Sequence, residues 1–353
     1  MVKNMGNRSL EEVLQQMSLL GASIEPLMYD FLLKGINKDF KDLIKWQTST
    51  GGKRLRPALT LVFAKAFGAA TDDYEVKAAA AGIELIHTYS LILDDIIDRG
   101  DLRRGKPTTR AKYGDEFAIL SGIIHREAVF EAARGTGKHF NSTIGIFSET
   151  IRALTEGERL DVLFEQKEDR THKYFQTNRF RHVSFRDYRR MIAGKTAALI
   201  AAACKLGALV GGASLEEQAC AEKFGWATGI AFQIADDYLD LFATADEFGK
   251  VVYKDIIEQK LGNFAIVKTF EKLSQEDSKL LHTYLTSSRL TDDERVSKSL
   301  PLIEKANIKE EVLQEAEKWA KKAEMVLRTI SLKDEDLREV LEKMTEFSVR
   351  RAF

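Results

Sequence analysis

Proline and cysteine are both scarce. Only Pro26, Pro57, Pro107 and Pro301 interrupt 353 residues. Long segments can therefore run as helix, and no stretch of any length alternates apolar and polar residues as a half-buried strand does. Cys204 and Cys220 are the two cysteines. Their separation matches no metal-binding or redox spacing, which points to a reducing, cytoplasmic compartment. An excess of one charge is also missing: 53 basic side chains face 54 acidic ones, for a net charge of −1. Global attraction to nucleic acid or to a membrane surface has no support from that balance. Long apolar runs are few. The longest, 197–213, is interrupted by Lys205 and reads as Ala-rich core helix rather than a membrane span. The first residues turn acidic and amphipathic at once, so the expectation is no secretory signal and no stable membrane insertion.

What is present is helical periodicity and enough apolar residues, 44% of the chain, for a sizeable core. The expected fold class is all-α, a single large helical bundle over residues 1–353. Helix starts are legible as capping boxes at Ser9…Glu12, Ser214…Glu217 and Thr291…Glu294. Gly51-Gly52 breaks the chain, and Gly100 and Gly105 bracket a loop. Residues 165–187 are polar and of mixed charge, which predicts a helix end followed by an exposed connection.

Two Asp-Asp-x-x-Asp clusters carry the chemistry: Asp94-Asp95-Ile96-Ile97-Asp98 and Asp236-Asp237-Tyr238-Leu239-Asp240. In a helix the first and last acids of each cluster share a face, where like charges repel. Such clusters call for a cation, and oxygen donors alone suit Mg2+ better than zinc or iron. Basic, glycine-bearing segments accompany them. Gly51-Gly52-Lys53-Arg54-Leu55-Arg56-Pro57 precedes the first cluster, and Arg103-Arg104-Gly105-Lys106-Pro107 follows it. Gly249-Lys250 and Lys254…Lys260 follow the second, while Gly194-Lys195-Thr196 opens the Ala-rich helix between the two. Cations on close-bending backbone suit a phosphate-rich ligand, and acids with Mg2+ and bases with diphosphate form one consistent site. A rival reading takes Glu84…His87 as half of a di-iron site. It needs a second Glu-x-x-His, and none of the other five histidines has a Glu three residues before it.

These pieces resemble the trans-isoprenyl diphosphate synthases, the polyprenyl synthetase family. The matching segments are GGKRLRP (51–57), HTYSLILDDIID (87–98), RRGKPT (103–108), GKT (194–196), FQIADDYLD (232–240) and GK…KDIIEQK (249–260), in the family's order. The resemblance implies an isoprenoid-synthase bundle that joins isopentenyl diphosphate to an allylic diphosphate, using two to three Mg2+ ions. It assigns Asp94, Asp98, Asp236 and Asp240 to metal, with Asp95 in a supporting position. Arg103, Lys195, Lys250 and Lys260 go to the allylic diphosphate or to closing the site over it. Lys53, Arg56, His87 and Arg104 go to isopentenyl diphosphate, and Thr196 and Gln233 to the developing allylic cation. The chain departs from the family pattern at Ser121-Gly122-Ile123, at Glu158, and at Tyr253-Lys254 and Gln259, where glycines are usual.

Within the family, product length is set on the first Asp helix. Tyr89 lies five residues before Asp94, about 7.5 Å along the axis, and its neighbour Ser90 is small. One aromatic there and no insertion in the motif resembles the archaeal-type geranylgeranyl diphosphate synthases, with farnesyl diphosphate as the alternative product. A terpene cyclase would carry Asn/Asp, Ser/Thr and Glu in its second metal motif, and a non-catalytic subunit would have lost an Asp cluster. The family also implies a homodimer, while the charge balance gives no reason to expect a nucleic-acid partner.

Overall fold

Helical spacing of apolar residues, broken by few prolines, gives helices nearly throughout. A computed structural model describes residues 9–168, 170–243 and 252–350. In chain order the elements are α1 (Leu10–Ala22), α2 (Glu25–Leu32), α3 (Lys41–Ser49), α4 (Leu55–Ala66) and α5 (Tyr74–Ile97). A hairpin of β1 (Leu102–Arg103) and β2 (Lys106–Pro107) follows, then α6 (Thr109–Tyr113), α7 (Asp115–Gly135), α8 (Phe140–Phe164), α9 (Lys173–Asn178) and α10 (Phe185–Ile192). A π-helical turn (Ala193–Ala197) leads into α11 (Ala198–Val210) and then α12 (Leu215–Phe242). Shorter helices follow at Lys254–Ile257, Phe264–Lys272, Gln275–Thr286 and Asp292–Lys305, then longer ones at Lys309–Arg328 and Asp336–Arg350. Pro26 and Pro57 sit in first helical turns, where a missing N–H costs nothing, and Pro107 lies in β2. Pro301 alone of the four is inside a helix. All three expected capping boxes form. Ser184…Asp187 adds a fourth, with Asp in the place usually held by Glu.

The chain divides into two compact units. The first comprises residues 1–154, 198–226 and 324–344. Its centre is α5, which packs against α4, α7 and α11. Ala78–Ala81, Ile83, Leu85 and Ile86 are fully buried, so this half of α5 is apolar on every face, as a core helix must be. Each of the three larger side chains contributes about 1.5–3 kcal/mol by burial. Glu84 is the exception within that stretch, and its partner Arg54 explains it, as described below.

The second unit comprises residues 155–197, 227–323 and 345–353. Phe264 is its apolar anchor, stacked against Tyr188 and Phe185. Buried Arg295 donates to the carbonyls of Tyr284, Ser287 and Leu290, closing the end of the Gln275–Thr286 helix. Among the described residues, two helices are long and apolar enough to cross a membrane, Tyr74–Ile97 and Phe185–Val210. Their apolar windows are 67% and 83% buried inside the protein, as core helices are.

Two expectations change. Residues 165–187 are less exposed than their polarity predicts: Glu165, Gln166, Phe175 and Val183 are buried, and the backbone at Glu165 pairs with that at Lys260 as an isolated antiparallel bridge. Lys195 and Thr196 do not open a helix. They sit in the π turn that joins α10 to α11.

Candidate active site

The first acidic cluster closes α5. Asp98 is the C-cap, its N–H donating to the Asp94 carbonyl. Asp94 and Asp98 thus add carboxylates to the negative end of a helix dipole, an arrangement that only a cation makes favourable. Asp95 is different, being 4% exposed. Arg103 reaches it with Nε at 2.9 and 3.1 Å and Nη2 at 2.7 Å, and approaches Asp94 at 3.4 Å. Burial raises the Asp95 pKa, while the hydrogen bonds and charge of Arg103 oppose that rise.

Basic residues gather one to two turns earlier along α5. Gly51 and Gly52 both have positive φ, a backbone that glycine adopts freely. The Arg104 guanidinium packs on Gly52, within 2.5–3.0 Å of where a Cβ would lie. Arg54 follows in left-handed backbone, φ 47°, at the N-cap of α4. Its side chain repays that strain by donating to Glu84 at 2.6 Å, Glu25 at 3.0 Å and the Thr48 carbonyl at 2.7 Å. The sequence places Arg54 among the cations of a phosphate-suited segment, and nothing in its spacing points to Glu84.

Arg56 Nη1 stands 3.2 Å from His87 Nε2. Arginine has no acceptor, so Nε2 accepts and the imidazole is neutral with its proton on Nδ1. Desolvation, then the charges of Arg56, Arg104, Arg103 and Arg54, push the His87 pKa well below its ordinary value. Arg56 Nε is buried with no hydrogen-bond partner. Three expected ligand-binding residues, Arg56, His87 and Arg104, are therefore drawn into one electropositive group. Lys53 lies exposed on the adjoining turn. Of the expected length residues, Tyr89 is half-buried near Gly122 of α7, and Ser90 donates to the His87 carbonyl.

In the second unit, Asp237 is the structural acid of its cluster. It is buried and accepts from Tyr188 Oη at 2.7 Å, Phe264 N at 2.8 Å and Gln233 Nε2 at 2.9 Å. Burial and then the charge of Asp255 push its carboxyl well above the ordinary range, against those three donors. Asp240 accepts from the N–H groups of Lys254 and Asp255 at 2.9 and 3.3 Å, tying α12 to the Lys254–Ile257 helix. Burial, then Asp255, raise it to about 8. Asp236 is half-buried. Thr196 Oγ1 donates to Gln233 Oε1 at 2.7 Å, so that expected pair does meet.

The lysines share an acid that sequence reasoning left without a role. Asp161 Oδ2 lies 2.8 Å from Lys195 and 3.0 Å from Lys260, and both it and Lys260 are buried. Glu158 holds Lys195 at 2.9 Å, and Glu258 holds Lys260 at 3.3 Å. Burial opposes ionisation of Asp161, but the two lysines outweigh it and hold the carboxyl below its ordinary value. Gly157 makes this possible: a Cβ there would collide with the backbone of Gly194 and Lys195. Tyr253 and Gln259, standing where the family usually has glycine, adopt φ 60° and 59°. The left-handed turns are thus kept without glycine, at about 1–2 kcal/mol each. Lys250 lies outside the described residues.

The polyprenyl synthetase family model matches residues 37–303, a span that contains both acidic clusters and every basic segment described above. The chain belongs to that family. A short chain isoprenyl diphosphate synthase of Methanothermobacter thermautotrophicus is 35% identical over 86% of this chain and 87% of the relative. A geranylgeranyl diphosphate synthase of Sulfolobus acidocaldarius is 34% identical over 86% and 88%. The fold matches the crystal structure of a decaprenyl diphosphate synthase from Rhodobacter capsulatus with TM-score 0.85 and 26% identity, covering 98% of this chain and all of the other. All-α architecture is therefore a family property here.

The family is generally Mg2+-dependent, and the donor set fits that ion. Among the described residues no group of three or more His, Cys, Asp or Glu is placed to hold a metal unaided. Mg2+ does not require one, because it keeps waters and takes substrate phosphate oxygens alongside one or two carboxylates. Asp94 and Asp98 at a helix C-terminus, and Asp236 and Asp240 on α12, supply carboxylate oxygens of the kind that ion takes.

Proposed function

We propose that this chain is a short-chain prenyltransferase that condenses isopentenyl diphosphate with dimethylallyl, geranyl or farnesyl diphosphate and ends at geranylgeranyl diphosphate. The observation that carries it is the Arg56–His87–Arg104 group. It combines a neutral imidazole, two guanidiniums and a buried N–H donor with no partner, on the helix that also bears Asp94 and Asp98. Such a group fits a diphosphate and has no use in an apolar core.

In this reading Asp94, Asp98 and Asp236, with Asp240 alongside, hold Mg2+, which supplies charge neutralisation for the departing diphosphate when bound. Lys53, Arg56, His87 and Arg104 bind isopentenyl diphosphate. Arg103 and Lys195 bind the allylic diphosphate, with Lys250 and Lys260 closing over it. The allylic C–O bond ionises, its electron pair leaving with the diphosphate. The isopentenyl double bond attacks the cationic carbon, and a proton then passes to the released diphosphate. Thr196 and Gln233, locked to each other, present oxygen dipoles to the transient cation. Tyr89 stops the growing chain, a role supported by its packing beside Gly122 and by the geranylgeranyl product named for the Sulfolobus relative.

The test is elongation of radiolabelled isopentenyl diphosphate with each allylic primer, with and without Mg2+, followed by chromatography of the dephosphorylated products. Mg2+-dependent C20 product is expected; no elongation from any primer refutes the activity. We further propose a cytoplasmic homodimer. Phe117, Ile119, Leu120, Ile123 and Phe130 on α7, each 39–51% exposed, support it as large apolar side chains left at the surface. A monomeric mass by light scattering at micromolar concentration would count against it.

A further inference from the structure

We infer that Gln47 is a positioning residue for the allylic-diphosphate end of the site, fixing Asp95 as the holder of Arg103 rather than as a metal ligand. The inference rests on the proposed role of Arg103. Gln47 lies on α3, outside every motif that marks the family, and is 3% exposed. Its Oε1 accepts from Thr109 N at 3.2 Å and from Thr109 Oγ1 at 2.8 Å. The backbone N–H of Thr109 can only donate, which identifies the acceptor end of the amide and turns Nε2 to Asp95 Oδ2 at 3.3 Å.

Asp95 is then fully committed. Oδ1 takes Arg103 Nε and Nη2, while Oδ2 takes Arg103 Nε and Gln47 Nε2. With both oxygens engaged inside the protein, this acid has little left for a cation. The same α3 segment grips the hairpin that carries Arg103. Trp46 Nε1 donates to the Pro107 carbonyl at 2.9 Å, and Thr109 begins α6 with one residue between it and the end of β2. Arg103 is therefore restrained at both ends, its backbone through the hairpin and its guanidinium through Asp95. Gln47 is the side chain that joins the two restraints. A fork held this way meets a phosphate without first paying for its own ordering.

The experiment compares Gln47→Met, Gln47→Glu, Arg103→Gln and the double variant Gln47→Met/Arg103→Gln with the unaltered chain. Affinity for the unreactive thiolo analogue of dimethylallyl diphosphate is measured by calorimetry with Mg2+, alongside KM for each substrate. Gln47→Met should weaken the analogue about tenfold, the loss of one hydrogen bond to a charged group, and leave KM for isopentenyl diphosphate within about twofold. Gln47→Glu keeps the acceptor for Thr109 but sets a carboxylate against Asp95, and should weaken the analogue further. The double variant should bind no worse than Arg103→Gln alone, because both act through one group. Thr109→Val is the control for a merely structural role. It removes a bond to Gln47 without touching Asp95, and should lower the unfolding midpoint while sparing affinity. Additive losses, or an equal rise in KM for both substrates, overturn the positioning role. Arg103→Gln that binds the analogue normally overturns the underlying site reading instead.

Discussion

Asp161 offers the sharpest energetic test of the second unit. Its carboxylate bridges Lys195 and Lys260 at 2.8 and 3.0 Å, and Lys260 is 7% exposed. Asp161→Asn keeps the shape and one acceptor but removes the negative charge between two ammonium groups. Breaking a buried ion pair from one side costs about 3–5 kcal/mol. Each lysine retains a second carboxylate, Glu158 or Glu258, so about 2–3 kcal/mol is the expected loss here. Urea unfolding at pH 7 should show it as a lower midpoint with an unchanged slope. The pH dependence supplies a second arm. The folded pKa of Asp161 lies below its ordinary value of 3.8, so its stabilisation is fully present above that value and is lost as pH falls below it. The gap between the two proteins should narrow by about 1 kcal/mol at pH 3. Converting the pair with Asp161→Leu and Lys260→Met should cost less than the sum of the two single changes. A variant within about 0.5 kcal/mol of the unaltered chain, or a gap identical at pH 7 and pH 3, refutes the reasoning.

Three other outcomes are expected. His125 is fully buried between Thr48 and the Ser121 carbonyl, and burial lowers its pKa from 6.5 to about 4. Its neutral form stabilises the fold above pH 6.5, and this is lost as pH falls toward 4, by about 3 kcal/mol in all. His125→Gln should flatten that stretch of the stability profile, as followed by thermal melts. Gly157→Ala should cost at least about 2–3 kcal/mol and most of the activity, since backbone rather than a flexible side chain occupies the Cβ position; a melt unchanged within error would contradict the close approach. Tyr89→Ala should lengthen the products on chromatography, and an unchanged chain-length profile would remove Tyr89 as the stop.

Local chemistry was legible in the sequence, and partnerships across the chain were not. The capping boxes at Ser9, Ser214 and Thr291 could be read because both partners lie within four residues. The acidic clusters and the Gly51-Gly52 turn carry their meaning in spacing. Arg54, Asp161 and Gln47 find their partners 30, 34 and 48 residues away, a relation that periodicity does not encode. Burial of Glu165 and Gln166 is not written in their neighbourhood for the same reason: Gln166 N donates to the Gln259 carbonyl from a segment whose composition reads as exposed. The left-handed Tyr253 and Gln259 show the converse. Both residues hold a backbone that glycine adopts more freely, and side-chain identity alone does not announce it.

The π turn at Ala193–Ala197 constrains chain length as well as residue type. It accommodates one residue more than a regular helix would, and a residue of helix is about 100° of rotation and 1.5 Å of rise. Tyr188 to Asp237, Lys195 to Asp161 and Thr196 to Gln233 are phased together by that extra residue. Deleting any one position between 193 and 197 lets the segment relax into ordinary helix, and it then breaks at least one of the three pairings whatever side chains remain. Counting residues between Tyr188 and Thr196 is therefore as discriminating a criterion for a working relative as the identity of the lysine and threonine themselves.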